Sequence, residues 1–137
     1  MSTSSPATWC VAVHTGAGTY SQSNEASYRN TMSDAIREAA KVLSAGGLAC
    51  DAVDCAISFL ENDNLCNAGF GSNLTLEGRV ECDASIMCGR GGHFGAVGAA
   101  QGLPNPIKVS RHLMNETKKG LLLLPSLSLS LSLFALN

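Results

Sequence analysis

The densest run of chemically able residues in this 137-residue chain is Asn67-Ala-Gly-Phe-Gly-Ser-Asn-Leu-Thr-Leu-Glu-Gly-Arg-Val-Glu-Cys-Asp83. Glycines at 69, 71 and 78 stand there among Asn67, Glu81 and Asp83. Gly supplies positive φ and close backbone approach, so the pattern predicts a tight loop feeding a β-hairpin. Asn67 has two compatible roles: its amide can help hold a reactive site, or it can close an Asx-type turn that stabilises the loop. Glu81 and Asp83 lie two apart, which on a strand puts both on one face. Paired carboxylates can do acid/base work, but with no third group beside them they read better as a turn scaffold. His14, in Val11-Ala-Val-His-Thr-Gly-Ala-Gly18, carries an imidazole, a side chain able to give or take a proton. Proton transfer is one reading. The preferred one has His14 ending a strand and ordering the Gly16-Ala17-Gly18 turn by hydrogen bonding. Gly89-Arg-Gly-Gly92 fits neither dinucleotide nor P-loop spacing.

These residues need elements to position them. Trp9-Cys-Val-Ala-Val13 is a short apolar run with β-branched residues, bounded by His14 and glycines, and predicts a buried strand. Tyr28, Met32, Ala35, Ile36, Ala39 and Leu43 recur at helical spacing, with Arg29, Asp34, Arg37 and Lys41 on other faces, so residues 25–45 read as an amphipathic helix stopped by Gly46-Gly47. A second helix is expected from Asp51 as its cap, with Val53, Ala56, Ile57 and Leu60 inward and an end near 62–64. Residues 73–76 and 79–87 read as a hairpin turned at Glu77-Gly78, and Phe94–Ala100 as a further strand. Asn105-Pro106 opens a third helix carrying Ile107, Val109, Leu113 and Met114. The order of strand, two helices, three grouped strands and a helix argues for an α+β layered domain rather than parallel crossovers.

Composition narrows the function classes. The chain is 45% hydrophobic, 15% charged and 5% aromatic, with a formal charge of −2 and only Lys118-Lys119 as adjacent cations. A globular core is expected, and neither nucleic acid nor a membrane surface is an expected partner. Six cysteines could form a disulfide framework, but Met1–Ala7 lacks the pattern of a secretory signal, so an intracellular setting with cysteines as small buried hydrophobes is expected. Zinc is disfavoured because no Cys-x-x-Cys pair occurs and the histidines at 14, 93 and 112 stand apart. Residues 1–8 read as a disordered N-terminus, 9–117 as the folded core and 118–137 as a low-complexity Leu/Ser tail outside the fold. Pro125 and the serines make a membrane span improbable. A repeated CT dinucleotide translates as Leu-Ser, so the tail reads as translated non-coding sequence at the end of a shortened splice form.

The motifs at 11–18 and 67–89, with Phe94-Gly-Ala-Val-Gly-Ala99, resemble the N-terminal half of the type 2 asparaginase family, and Thr15, in a position where many asparaginases carry glycine, tilts the match toward its threonine aspartase (taspase) branch. The resemblance covers residues 9–117. It implies an N-terminal nucleophile hydrolase with a four-layer αββα sandwich, of which this chain supplies one half. Such enzymes cut themselves before a threonine whose freed amine activates its own hydroxyl. Thr3, Thr8, Thr15, Thr31, Thr75 and Thr117 follow Ser, Ala, His, Asn, Leu and Glu, and Gly18-Thr19 reads as a turn, so no residue matches the nucleophile. The chain is therefore expected to be inactive alone, a shortened threonine aspartase-like hydrolase, with His14, Thr15, Gly16, Gly18, Asn67, Gly69 and Gly71 as active-site scaffold. The alternatives are a fragment of an asparaginase or β-aspartyl peptidase and a non-catalytic dominant-negative partner. The resemblance also implies a sodium loop built from the carbonyls of Leu60, Glu61, Asp63, Cys66, Ala68 and Phe70, no organic cofactor, a protein or aspartyl substrate for the whole enzyme, and a homodimer of α/β units.

Overall fold

The computed structural model describes residues 8–18 and 21–123. Two helices, α1 (Glu25–Ser44) and α2 (Ala49–Glu61), are followed by strands β1 (Cys82–Cys88) and β2 (His93–Ala100), helix α3 (Pro106–Thr117) and strand β3 (Lys119–Leu123). Helix α1 forms where the 3.6-residue period predicts. It is laced on its outer face by the ion pairs Arg29–Glu25, Arg37–Asp34 and Lys41–Glu38. Its inner face meets α2 through alanines: Ala39, Ala52 and Ala56 are all buried in one cluster, with Val11, Val13, Val42 and Leu43 packed around them. Small side chains let the two backbones approach closely, which answers the scarcity of large rings in the sequence.

The sheet runs in the order β1-β2-β3. β1 and β2 form an antiparallel hairpin from Cys88↔His93 to Cys82↔Ala100, with a register irregularity between Cys82 and Ala84. Helix α3 lies on one face of this sheet. At Gly95 the approach is so close that an added Cβ would come 2.0 Å from the Ser110 carbonyl oxygen, so only glycine fits. Ser110 is fully buried and its hydroxyl donates to the Ala84 carbonyl at 2.9 Å. Ile86, Ile107 and Met114 fill one part of this layer, and Val97, Ala100 and Val109 the other. The result is a mixed α+β arrangement with helices against one side of a sheet.

Four expectations need correction. Residues 9–13 are extended but form no strand among the described residues, because a strand needs a ladder partner and none is beside them. Val11 and Val13 pack on α1 and α2 instead, and Trp9 is exposed. The hairpin at 73–87 is reduced to a single bridge, Leu74↔Val80, before β1 begins. Val53 faces outward, and Asp51 stands at the third position of α2 rather than starting it, where its carboxylate caps by accepting the Leu48 N–H at 3.3 Å. The segment expected to lie outside the fold contributes β3, which pairs in parallel with β2 from Phe94↔Lys119 to Gly98↔Leu123. Lys118, at φ +64°, ends α3 in a left-handed cap and turns the chain directly into β3. β2-α3-β3 is thus a parallel crossover, formed because leucines 121 and 122 suit a sheet as well as any varied strand. Residues 124–137 lie outside the described residues.

Candidate functional site

The two motifs singled out by chemistry meet through their neighbours. Val13 precedes His14, and Cys66 and Ala68 flank Asn67. These three share one apolar cluster with Ala35, Phe59 and Leu60. His14 and Asn67 are thereby held on exposed backbone whose adjoining residues are locked in the α1–α2 core. His14 Nδ1 accepts the Gly16 N–H at 3.1 Å, the hydrogen bond that shapes the 16–18 turn. Asn67 Oδ1 accepts the Asn73 N–H at 2.8 Å, closing the glycine loop across six residues. In both cases the acceptor atom is turned to the backbone, which leaves imidazole Nε2–H and carboxamide N–H as the remaining donors. That arrangement suits holding an oxygen atom better than taking a proton.

Thr15 and Gly16 line a cleft of about 380 Å³ with His14, Ser21, Glu25, Tyr28 and Arg29. The Thr15 hydroxyl contacts Met32 Sδ at 3.7 Å on its floor. Gly18 adopts φ +158°, and Thr19 and the Gly18-Thr19 bond lie outside the described residues. The glycine loop is tighter still. A Cβ at Gly71 would stand 2.2 Å from the Cys66 carbonyl oxygen and 2.8 Å from that of Asn64, and one at Gly69 would stand 2.3 Å from that of Glu61. Of the six carbonyls in the implied sodium loop, Leu60 accepts the Asp63 N–H at 3.2 Å and Ala68 the Gly71 N–H at 3.2 Å. Each carbonyl oxygen has two lone pairs, so one such bond does not exhaust its accepting capacity.

Three side chains carry structure that the sequence does not announce. Glu61 is 3% exposed, and its Oε1 accepts the Ile107 N–H at 3.0 Å, capping the start of α3 from the end of α2. Its Oε2 is buried with no partner among the described residues. Burial pushes the Glu61 carboxyl up from its ordinary value, against the pull of the Ile107 N–H. Asp63 ties the loop to α1, accepting the Thr31 hydroxyl at 2.9 Å and the Leu65 N–H at 2.7 Å. Arg111 on α3 reaches back to Asp51 on α2 at 2.8 Å. The Pro106 start signals that α3 needs an acceptor, but nothing in the sequence says that residue 61 supplies it.

The acidic pair resolves into two separate anchors. Asp83 accepts the Ala99 N–H at 2.8 Å beside the register irregularity, and Glu81 accepts Gln101 Nε2 at 2.6 Å. Gly89–Gly92 is the turn of the β1–β2 hairpin. Cys66 is packed in the core, and burial, then the Asp63 charge, raises its thiol above the usual range, the opposite of a poised nucleophile. Cys50 and Cys82 are buried likewise, whereas Cys10 is exposed, which corrects the expectation of uniformly buried thiols. Among the described residues no cluster of three or more His, Cys, Asp or Glu could hold a metal, and no helix is long and apolar enough to cross a membrane.

Comparison with known proteins identifies the relationship. The asparaginase family model matches residues 7–127. An isoaspartyl peptidase/L-asparaginase from Mus musculus is 44% identical over 108 residues, covering 78% of this chain and 33% of the relative. The Homo sapiens isoaspartyl peptidase/L-asparaginase is 44% identical over 108 residues, covering 78% and 35%. A plant-type L-asparaginase from Pyrobaculum calidifontis is 38% identical over 109 residues, covering 78% and 36%. The chain thus spans about a third of the length of these relatives. They carry asparaginase and isoaspartyl peptidase names, which supports the threonine aspartase branch less than the alternative. With the family pattern running through both motifs that pack against the α1–α2 core, the chain belongs to the asparaginase family.

Proposed function

We propose that these residues form the scaffold portion of an isoaspartyl peptidase/L-asparaginase-type amidohydrolase and turn over no substrate by themselves. The observation that carries this reading is the 44% identity to the Mus musculus isoaspartyl peptidase/L-asparaginase over most of this chain but a third of that relative. In such an enzyme a threonine with a free α-amine attacks the amide carbonyl, forms an acyl-enzyme and releases it to water. The part played by this chain is to fix His14 and Asn67 beside that threonine as donors, on a loop that Gly69 and Gly71 clamp to the end of α2. Incubation of the 137-residue chain with L-asparagine and a β-aspartyl dipeptide tests the reading. No turnover and an uncut mass are expected, and turnover abolished by His14→Ala or Cys66→Ala would overturn it by exposing a different nucleophile system.

A second reading, the threonine aspartase branch, rests on Thr15, which adds a hydroxyl and a methyl to the cleft beside His14. It is favoured if the complete enzyme cuts peptides after internal aspartate and spares free asparagine. We extend the proposal to a monovalent cation on the carbonyls of residues 60–70. Its test is a higher melting temperature in NaCl than in tetramethylammonium chloride at equal ionic strength, and equal values would remove the ion from the account. A paired assembly of whole α/β units and an intracellular location complete the proposal.

A further inference from the structure

Two thiols from distant parts of the chain are packed together behind the sheet. Cys50, in the first turn of α2, belongs to the cluster of Ile86, Ile107 and Met114, and Cys88, the last residue of β1, packs against that same cluster. Burial raises the Cys50 thiol above its ordinary value, Cys88 adds to that rise, and the Arg111 guanidinium opposes it. Arg111 is itself held in place by Asp51, the residue after Cys50. The two thiols differ in access: Cys50 is 7% exposed, while Cys88 is half-buried at the mouth of the hairpin turn and donates to the Arg90 carbonyl at 3.5 Å. His93, the cross-strand partner of Cys88, stands on the same face of the sheet, so a base adjoins the more accessible thiol.

We propose that Cys50 and Cys88 form a reversible redox pair that, when oxidised by a low-molecular-weight disulfide such as oxidised glutathione, fastens the start of α2 to the end of β1. In the first step the Cys88 thiolate, its proton passed to solvent or His93, attacks one sulfur of glutathione disulfide, forming a Cys88–glutathione bond and expelling a glutathione thiolate. In the second, the Cys50 thiolate, with Arg111 beside it, attacks the Cys88 sulfur, forming the Cys50–Cys88 bond and expelling the second glutathione thiolate. Two protein thiols are oxidised, one glutathione disulfide is reduced to two thiols, and two protons leave the cysteines. Burial of Cys50 raises its thiol and slows the second step, and the nearby guanidinium offsets part of that. A cross-link across this stretch would remove chain entropy from the unfolded state and raise the melting temperature by about 10 °C.

The test is to hold the full chain in oxidised glutathione, block free thiols, and map peptides without reduction. A species two hydrogens lighter, with the Cys50 and Cys88 peptides linked, is expected, together with a melting temperature that rises and returns on adding dithiothreitol. Cys88→Ser should abolish both changes, and Cys55→Ser should leave both intact. The proposal is overturned if the map shows only a stable Cys88–glutathione adduct, if another pair such as Cys10–Cys66 is linked instead, or if all six thiols stay reduced. The peptide map of the unsubstituted chain decides the matter even if a cysteine variant fails to fold.

Discussion

The face of the sheet opposite α3 offers the sharpest prediction about this chain on its own. Met87, Phe94 and Leu121 project from neighbouring strands on that face and are 70%, 38% and 67% exposed. Together they keep roughly two side chains' worth of apolar surface in water, which at about 1.5–3 kcal/mol per large side chain amounts to roughly 3–5 kcal/mol per copy. Two copies meeting face to face would contribute about twice that. Set against an association cost of at least about 4 kcal/mol, these contacts place self-association near 0.1 mM at the stronger end. The perturbation is the double substitution Met87→Glu with Leu121→Lys, which removes most of the apolar area while holding the formal net charge at −2. Sedimentation velocity across a concentration series should show the unchanged chain associating and the double variant shifted at least tenfold toward monomer. A double variant that associates as tightly as the unchanged chain would place the sticky surface elsewhere.

The remaining predictions concern stability. Gly71→Ala should lower stability by about 1–3 kcal/mol in urea, because its Cβ would collide with the Cys66 and Asn64 carbonyls, whereas Gly89→Ala, with nothing within 4 Å, should be near neutral. Glu61→Ala should cost about 1–3 kcal/mol by orphaning the buried Ile107 N–H, and an unchanged urea midpoint would remove Glu61 as the cap of α3. The raised folded-state pKa of Glu61 means that its contribution is fully present below the ordinary carboxylate value and is lost as pH rises through the folded value. Glu61→Gln, which keeps the acceptor and drops the charge, should therefore gain on the unchanged residue as pH rises from acid toward neutrality, and parallel profiles would contradict this.

Much of the helical layer is legible in the sequence because helices are local objects. The spacing of Met32, Ala35, Ala39 and Leu43 defines the buried stripe of α1, and Asn105-Pro106 marks the start of α3, which runs Pro106–Thr117. Strands depend on partners, and there the sequence misleads. Val11 and Val13 have strand-forming side chains but no neighbour to pair with among the described residues. Conversely, Lys119–Leu123 begins a stretch whose repetitive composition conceals a regular parallel partner for β2. The candidate site was half visible. His14 and Asn67 stand out by residue type, and their local hydrogen bonds are the turn contacts that type suggests. Their shared anchorage through Val13, Cys66 and Ala68 is a long-range contact that no motif reports. The cation loop implied by the resemblance involves the main chain of Glu61, while its side chain, bonded 46 residues away, does the capping.

The scaffold role proposed for residues 7–127 can be measured outright in a hybrid enzyme. The hybrid replaces the matching segment of the Mus musculus isoaspartyl peptidase/L-asparaginase with residues 7–127 of this chain, and both self-cleavage and β-aspartyl dipeptide hydrolysis are measured. If the scaffold role holds, the chimera cuts itself into two pieces and hydrolyses the dipeptide, with both abilities reduced by Asn67→Ala and by Gly71→Ala. A folded, soluble chimera that stays uncut and inactive would contradict it.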